Sequence, residues 1–300
     1  MNLQYIKYAL EISRTGSISK AADNLSVAQP TLSRAVKELE SSLGIAIFDR
    51  TRTGMTVTPE GEQLLSAGER ILRDVGELET MFKGDALPRH SLSVTVARSA
   101  YLSHAFVSFC ASLPDDRRFD ISYREASLLD TLDEVCRGTC KLGIIRIPLH
   151  FERYYTEKLT QRELKWEIVA DFSPCILAGL GSPLAGKETV APTDLADLCA
   201  LHSPDSLDCE VCKTDVTGRK EITATEQATL YALLAADSTT YLCTAPMPSF
   251  MAAKYGLIQR PLSDGTIYRD LLITQKTYHP SETDLAFLRS LKETARAAME

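Results

Sequence analysis

The sequence has no long apolar run. None of its 300 residues lies in a stretch approaching the roughly 20 apolar residues that span a bilayer, which excludes a spanning helix and a membrane partner. Residues 1–16 hold Lys7, Glu11 and Arg14 and no uninterrupted apolar segment, so no secretory leader is expected and the expected compartment is the cytoplasm. Excess positive charge is also missing. Lys and Arg total 33 against 40 Asp and Glu, a net charge of −7, so the chain as a whole is no basic nucleic-acid coat. The eight cysteines are scattered and show no disulfide framework; in a reducing compartment they read first as thiols. Cys110, Cys175 and Cys243 read as buried small apolar residues. The five histidines are far apart, and no nucleophile elbow, metalloprotease helix or dinucleotide fingerprint occurs. No enzyme, cofactor or structural metal is therefore expected. The run from Gly181 to Lys187 has phosphate-loop spacing, but Glu188 stands where a magnesium-binding hydroxyl is needed, and Pro183 lacks an amide.

What is present is a well-stocked globular chain, 44% hydrophobic and 24% charged, long enough for more than one domain. Its charge is uneven: residues 1–58 sum to +2 and the rest to −9, as expected if only one part meets phosphate.

Within that amino-terminal part, Leu3, Ile6 and Leu10 fall on one face at helical spacing, and the pattern stops before Gly16. Ser17 and Ser19 are cap candidates for a short second helix, Lys20 to Leu25. Pro30 suits the first turn of a third, since no amide donor is lost there. In this third helix Leu32, Val36, Leu39 and Leu43 make one apolar stripe, with Pro30, Ser33, Arg34 and Lys37 opposite and Gln29 at its exposed front. Amide, hydroxyl and cationic groups so placed suit a major groove: Gln reads adenine edges, Arg reads guanine or phosphate, and Ser does either. Gly44 stops the helix. Ile45 to Phe48, a turn at residues 51–54 and Met55 to Val57 read as a two-stranded wing carrying Arg50 and Arg52. On pattern alone, a three-helix packing domain with a polar outer face fits equally well.

The run Ser17-Ile18-Ser19-Lys20-Ala21-Ala22, the run from Leu25 to Ser33, then Leu39-Glu40, Leu43-Gly44, Phe48-Asp49-Arg50 and Thr58-Pro59-Glu60-Gly61 resemble the LysR-type transcriptional regulators, densely and in order. The resemblance implies a winged helix-turn-helix with its third helix in the major groove. It implies DNA contacts from Gln29, Pro30, Thr31, Ser33, Arg34 and Lys37, and from Arg52 and Thr53 on the wing. Ala28 departs from the family, which usually has Ser there, so a hydroxyl contact is lost.

From Pro59 to about Phe82 runs one long helical pattern. Leu64, Gly68, Ile71, Val75, Leu78 and Phe82 alternate spacings of 4 and 3, a short heptad seam suited to a second copy or to the chain's own body. The resemblance implies the former, a homodimer and often a dimer of dimers. Residues 84–90, with Pro88, read as a hinge.

From residue 91 onward strands and helices alternate, which argues an α/β architecture with a mostly parallel sheet and covering helices. Strands are expected at Leu92 to Ala97, Phe119 to Glu125, Leu142 to Ile147, Trp166 to Val169, Ser173 to Leu177, Cys199 to His202, Tyr241 to Thr244 and Leu271 to Thr274. The resemblance implies a two-lobed effector domain similar to the type 2 periplasmic solute-binding proteins. Lobe one would hold 91–160 and 266–300, and lobe two 161–265. In this division 1–58 is the DNA-binding domain and 59–83 the linker helix. Two helix starts, at Ser99-Ala100-Tyr101 and at Thr223 to Glu226, offer amides to an anion, the second with capping-box spacing. Ordinary capping without a ligand is the plainer reading of each. By resemblance the pocket takes Ser99, Ala100, Tyr101, Arg146, His202, Ser203, Thr225 and Ala245. An alternative signal is redox state or metal through Cys209 and Cys212, although Asp208 would raise a neighbouring thiol's pKa. The expected partners are duplex DNA with a dyad-symmetric operator, a small anionic effector, further copies of the chain, and RNA polymerase.

Overall fold

The computed structural model describes residues 2–51, 54–82, 89–114, 118–203, 207, 220–263 and 265–299. The chain divides into two units, Met1–Pro88 and Arg89–Glu300.

The first unit begins with α1 (Leu3–Thr15), whose start is capped by the Asn2 side chain accepting from the Gln4 amide at 2.9 Å. Next come α2 (Ile18–Asn24), capped by Ser17, and α3 (Gln29–Leu43). The short helix thus starts two residues earlier than expected, because Ser17 rather than Ser19 is the cap. Ile6, Ala9 and Ile12 of α1, Ala21 and Ala22 of α2, and Leu32, Val36 and Leu39 of α3 close one buried core. Leu43, the last member of the stripe, stays exposed. The wing is β1 (Phe48–Thr51) paired antiparallel with β2 (Gly54–Val57). It starts later than Ile45 because the Glu40 carboxylate takes the amides of Ile47 (2.8 Å) and Phe48 (3.3 Å) and holds this segment to α3.

Helix α4 (Pro59–Phe82) follows, its first turn fixed by Thr58 Oγ1, which donates to Ala46 O at 2.6 Å and accepts from the Gly61 amide at 2.9 Å. A Cβ on Gly61 would stand 2.3 Å from Ile47 O, so the motif needs glycine for close approach. Gly68 belongs to the heptad seam, yet it faces Ile6 of α1: a Cβ there would meet Ile6 Cγ2 at 2.4 Å. The early part of the seam is therefore spent inside the unit, with Leu64 and Leu72 against the same core.

The second unit holds two mixed five-stranded sheets. The first comprises β3 (Arg89–Val96), β4 (Arg118–Glu125), β5 (Leu142–Pro148), β6 (Leu164–Phe172) and, late in the chain, β12 (Tyr268–Gln275), ordered β4-β3-β5-β12-β6. Strands β3, β4 and β5 are parallel, while β12 runs antiparallel to both β5 and β6. The expected mostly parallel sheet is corrected here, because the returning β12 enters against its neighbours. The second sheet comprises β7 (Cys175–Gly179), β8 (Cys199–His202), β9 (Glu221–Thr223), β10 (Thr240–Thr244) and β11 (Leu257–Pro261), ordered β11-β7-β10-β8-β9. The helices are α5 (Ala100–Ala111), α6 (Leu128–Arg137), α7 (Glu152–Gln161), α8 (Gln227–Ala236), α9 (Ser249–Lys254) and α10 (Glu282–Met299).

Two expected boundaries move. Arg89 and His90 already run in β3, so they leave the expected hinge; residues 84–88 lie outside the described residues. Strand β6 pairs with β12 along its length, so the first lobe keeps the chain through Phe172 rather than ending at 160. Sequence alternation locates a strand but not the sheet that receives it, and here the partner arrives about a hundred residues later.

Candidate functional site

In the first unit, α3 presents the residues expected at DNA. Gln29, Pro30, Thr31, Arg34 and Lys37 are exposed and Ser33 is half-buried. They share the side away from Leu32, Val36 and Leu39 because the helical repeat turns those three inward. Ala28 is the N-cap and makes no side-chain cap bond; the Thr31 amide instead reaches Ala28 O at 3.0 Å. Arg34 Nε donates to Glu38 Oε1 at 2.9 Å, and Tyr5 Oη donates to Glu38 Oε2 at 2.9 Å. These bonds from Arg34 and then Tyr5 lower the Glu38 pKa, and the same carboxylate raises that of Tyr5. A second polar network ties α1 to α2: Glu11 accepts from Arg14 (2.6 Å) and from Asn24 (2.7 Å), and these bonds hold its pKa at about 2. Arg52 and Thr53, expected at DNA from the wing, lie outside the described residues.

In the second unit the expected pocket residues divide. Arg146 on β5 and Asp270 on β12 are directly opposed across the ladder. The guanidinium grips the carboxylate through Nε (2.8 Å) and Nη2 (2.7 Å) and donates a further bond to Arg98 O (3.2 Å). Tyr101, buried in the first turn of α5, donates its hydroxyl to the same carboxylate. Burial, then the Asp270 charge, pushes the Tyr101 pKa far up; burial would lower that of Arg146, but Asp270 more than offsets it. The face of Phe172 lies 4.9 Å from the guanidinium carbon. Arg146 and Tyr101 therefore bind the chain's own anion.

A cavity of about 20 Å³ sits beside this cluster, lined by Arg98, Arg146, Ser203, Leu207, Gln227, Leu230, Leu242, Cys243 and Thr244. That volume is room for about one water-sized body. Of the expected residues, Arg146 and Ser203 line it, while Ser99, Ala100, Tyr101, His202, Thr225 and Ala245 do not. Ser99 is the N-cap of α5 but makes no cap bond, and its buried hydroxyl has no hydrogen-bond partner among the described residues. Ala245 is fully buried core, and Thr225 is exposed. His202 Nε2 stands 3.7 Å from Glu221 Oε1. The expected capping box at 223–226 is not formed: Thr223 ends β9, and α8 starts after Glu226, which makes no side-chain cap bond. Sequence reading missed Arg98, Gln227 and Thr244. Each adjoins a strand end or helix start that the reading did find, and position next to such a junction was the available signal.

Cys209 and Cys212 lie outside the described residues. Among the described residues no cluster of ligands could hold a metal ion. The thiols of Cys110, Cys136, Cys140, Cys175 and Cys199 are pushed up by burial, Cys175 to about 11, which makes them poor nucleophiles. Lys187, the lysine of the phosphate-loop spacing, pairs with Asp194 at 2.9 Å. Among the described residues no helix is long and apolar enough to cross a membrane.

Comparison with known proteins addresses both units. Residues 3–62 match the model of the bacterial regulatory helix-turn-helix protein, lysR family. The uncharacterized HTH-type transcriptional regulator YcgK of Bacillus subtilis is 29% identical over 158 residues, 51% of this chain and 48% of that protein. The HTH-type transcriptional regulator CzcR of Bacillus cereus is 32% identical over 163 residues, 53% of this chain and 56% of that protein. The chain spans about half the length of these curated relatives. Among solved structures, full-length OxyR of Pseudomonas aeruginosa shares the fold at TM-score 0.62 and 19% identity, covering 99% of this chain and 95% of that one. Full-length CbnR, solved in complex with its target DNA, does so at TM-score 0.62 and 18% identity, covering 98% and 100%. Residues 3–62 therefore carry the helix-turn-helix of the lysR family, in a chain that is similar to HTH-type transcriptional regulators over about half its length and shares the fold of full-length OxyR and CbnR.

Proposed function

We propose that the protein is a sequence-specific DNA-binding transcription regulator whose second unit binds a small effector between its two sheets. The observation that carries the first half is the outward face of α3, where Gln29, Thr31, Arg34 and Lys37 stand exposed on a helix whose other side is core. CbnR, of like fold, has been seen on its target DNA. A duplex selected in vitro from a random library should be retarded by the full chain. Arg34→Ala should weaken that binding by about 1–3 kcal/mol, relaxing sequence choice at one position, with thermal melting unchanged. Failure to enrich any sequence, or unchanged affinity in the variant, would refute this reading.

The second half rests on the polar and apolar lining of the cavity beside Arg146. At about 20 Å³ the cavity admits an effector only if the lobes part, so ligand and lobe angle are coupled. Two copies paired along α4, or two such pairs, would carry two or more α3 helices to a dyad-symmetric operator. A change of lobe angle would then alter their placing, DNA bending and access of RNA polymerase. The coupling is reciprocal: an effector that changes operator affinity binds differently when operator is present. A melting screen against acids that carry further polar or apolar groups, such as amino acids and aromatic acids, tests it, since a ligand at one hundred times its Kd adds about 2.7 kcal/mol. The shift should be lost in Gln227→Leu.

A further inference from the structure

Strand β6 ends the first sheet, paired with β12 on one side and with no strand on the other among the described residues. An open strand edge offers a row of amides and carbonyls to another strand, and proteins normally blunt it with charge, proline or a bulge. The Val169 region does carry a bulge, where the register with β12 shifts between Asp270 and Leu271. Residues 164–168 before it are regular, and their sequence is Leu-Lys-Trp-Glu-Ile. Alternation puts Leu164, Trp166 and Ile168 on one face and Lys165 and Glu167 on the other. Leu164 is buried, but Trp166 is 37% and Ile168 53% exposed, and both charged residues are exposed.

We infer that this edge is self-complementary and pairs antiparallel with β6 of a second copy about a twofold axis at Trp166. In that register Trp166 opposes its own counterpart, Lys165 opposes the other copy's glutamate at 167, and Leu164 opposes the other copy's isoleucine at 168. The opposite-charge pair and the apolar pair each occur twice by symmetry, the signature of an isologous contact. Moving the axis to Lys165 or Glu167 sets like charges against each other, so residues 164–168 specify one register. A lone lysine would guard this edge; a lysine and a glutamate two residues apart cancel across a twofold. Glu167 lies 3.8 Å from Lys292, an exposed pair that pairing with a second copy readily replaces. The inference stands apart from the proposed DNA and effector binding.

Trp166 is the chain's only tryptophan, so its emission reports this edge alone. The test follows the fluorescence of the full chain across a concentration series, alongside sedimentation velocity. A shift of emission to shorter wavelength in step with a larger species supports the pairing. Lys165→Glu should weaken that step roughly tenfold, since two like-charge pairs replace two opposite-charge pairs. The exchange Lys165→Glu with Glu167→Lys should restore it. Assembly that leaves Trp166 emission unchanged, a chain monomeric at every concentration, or a double variant no better than the single one would each overturn the inference.

Discussion

Glu11 shows how much one side chain can do in a small core. Its carboxylate joins Arg14 of its own helix to Asn24 of the next, and its pKa falls from an ordinary 4.5 to about 2. A carboxylate with a depressed folded pKa contributes stability that is complete above the unfolded value and is lost as pH falls through the folded one. The contribution of Glu11 should therefore disappear between about pH 4.5 and 2, and a carboxyl-detected NMR titration should place its midpoint near 2; a midpoint near 4.5 would mean that the network does not persist in solution. Asp270 is the opposite case, a fully buried carboxylate between Arg146 and Tyr101. Asp270→Ala strands a buried guanidinium and should lower the urea-unfolding free energy by about 3–5 kcal/mol. A loss well below 1 kcal/mol would show that water relieves the charge. Gly61→Ala should cost about 1–3 kcal/mol in thermal melts, despite the better helix propensity of alanine, because the new methyl meets Ile47 O at 2.3 Å. The motif residues Glu40, Thr58 and Gly61 were legible as a resemblance. Their jobs, holding β1 and the start of α4 to α3, needed coordinates, since each contact joins residues that periodicity treats separately.

Among the elements, those with a strong local signal were readable from sequence. Helices α1, α3 and α4 have apolar stripes and capping or stop residues, and the structure returns α4 at the expected bounds. Elements that depend on distant partners were not readable. Helix α7 is largely polar, with only Leu159 buried; β9 has no buried residue; β11 gains order by pairing with β7, some eighty residues upstream. The cavity follows the same division. Its helix starts were found, but the Arg146–Asp270 pair joins strands 124 residues apart and turned an expected ligand cation into an internal contact. Helix α4 likewise carries one stripe with two claimants, and Gly68 settles its early part in favour of α1.

At the scale of the chain, the two units have separate cores: one in residues 6–65 and the others entirely beyond residue 91. Residues 89–300 expressed alone should fold and melt cooperatively with the α/β circular dichroism of the whole. A fragment that lacks a cooperative transition would show that its sheets depend on the first unit. The charge divides within the first unit rather than between the two: residues 1–58 sum to +2 in a chain of −7, so the local positive charge is confined to the helix-turn-helix and wing.

The clasp of Arg146 by Asp270 bears on what the cavity can notice. A tethered carboxylate acts as a competitor at very high effective concentration, present in every molecule at all times. A simple acid from solution, such as acetate, meets that incumbent on equal chemistry and with far poorer odds, and should leave Arg146 where it is. Only a compound with a second foothold, on Gln227, Ser203 or the leucines around them, has enough additional contact to displace it. For the effector site proposed above, the resident anion is thus a noise filter that screens out simple small acids.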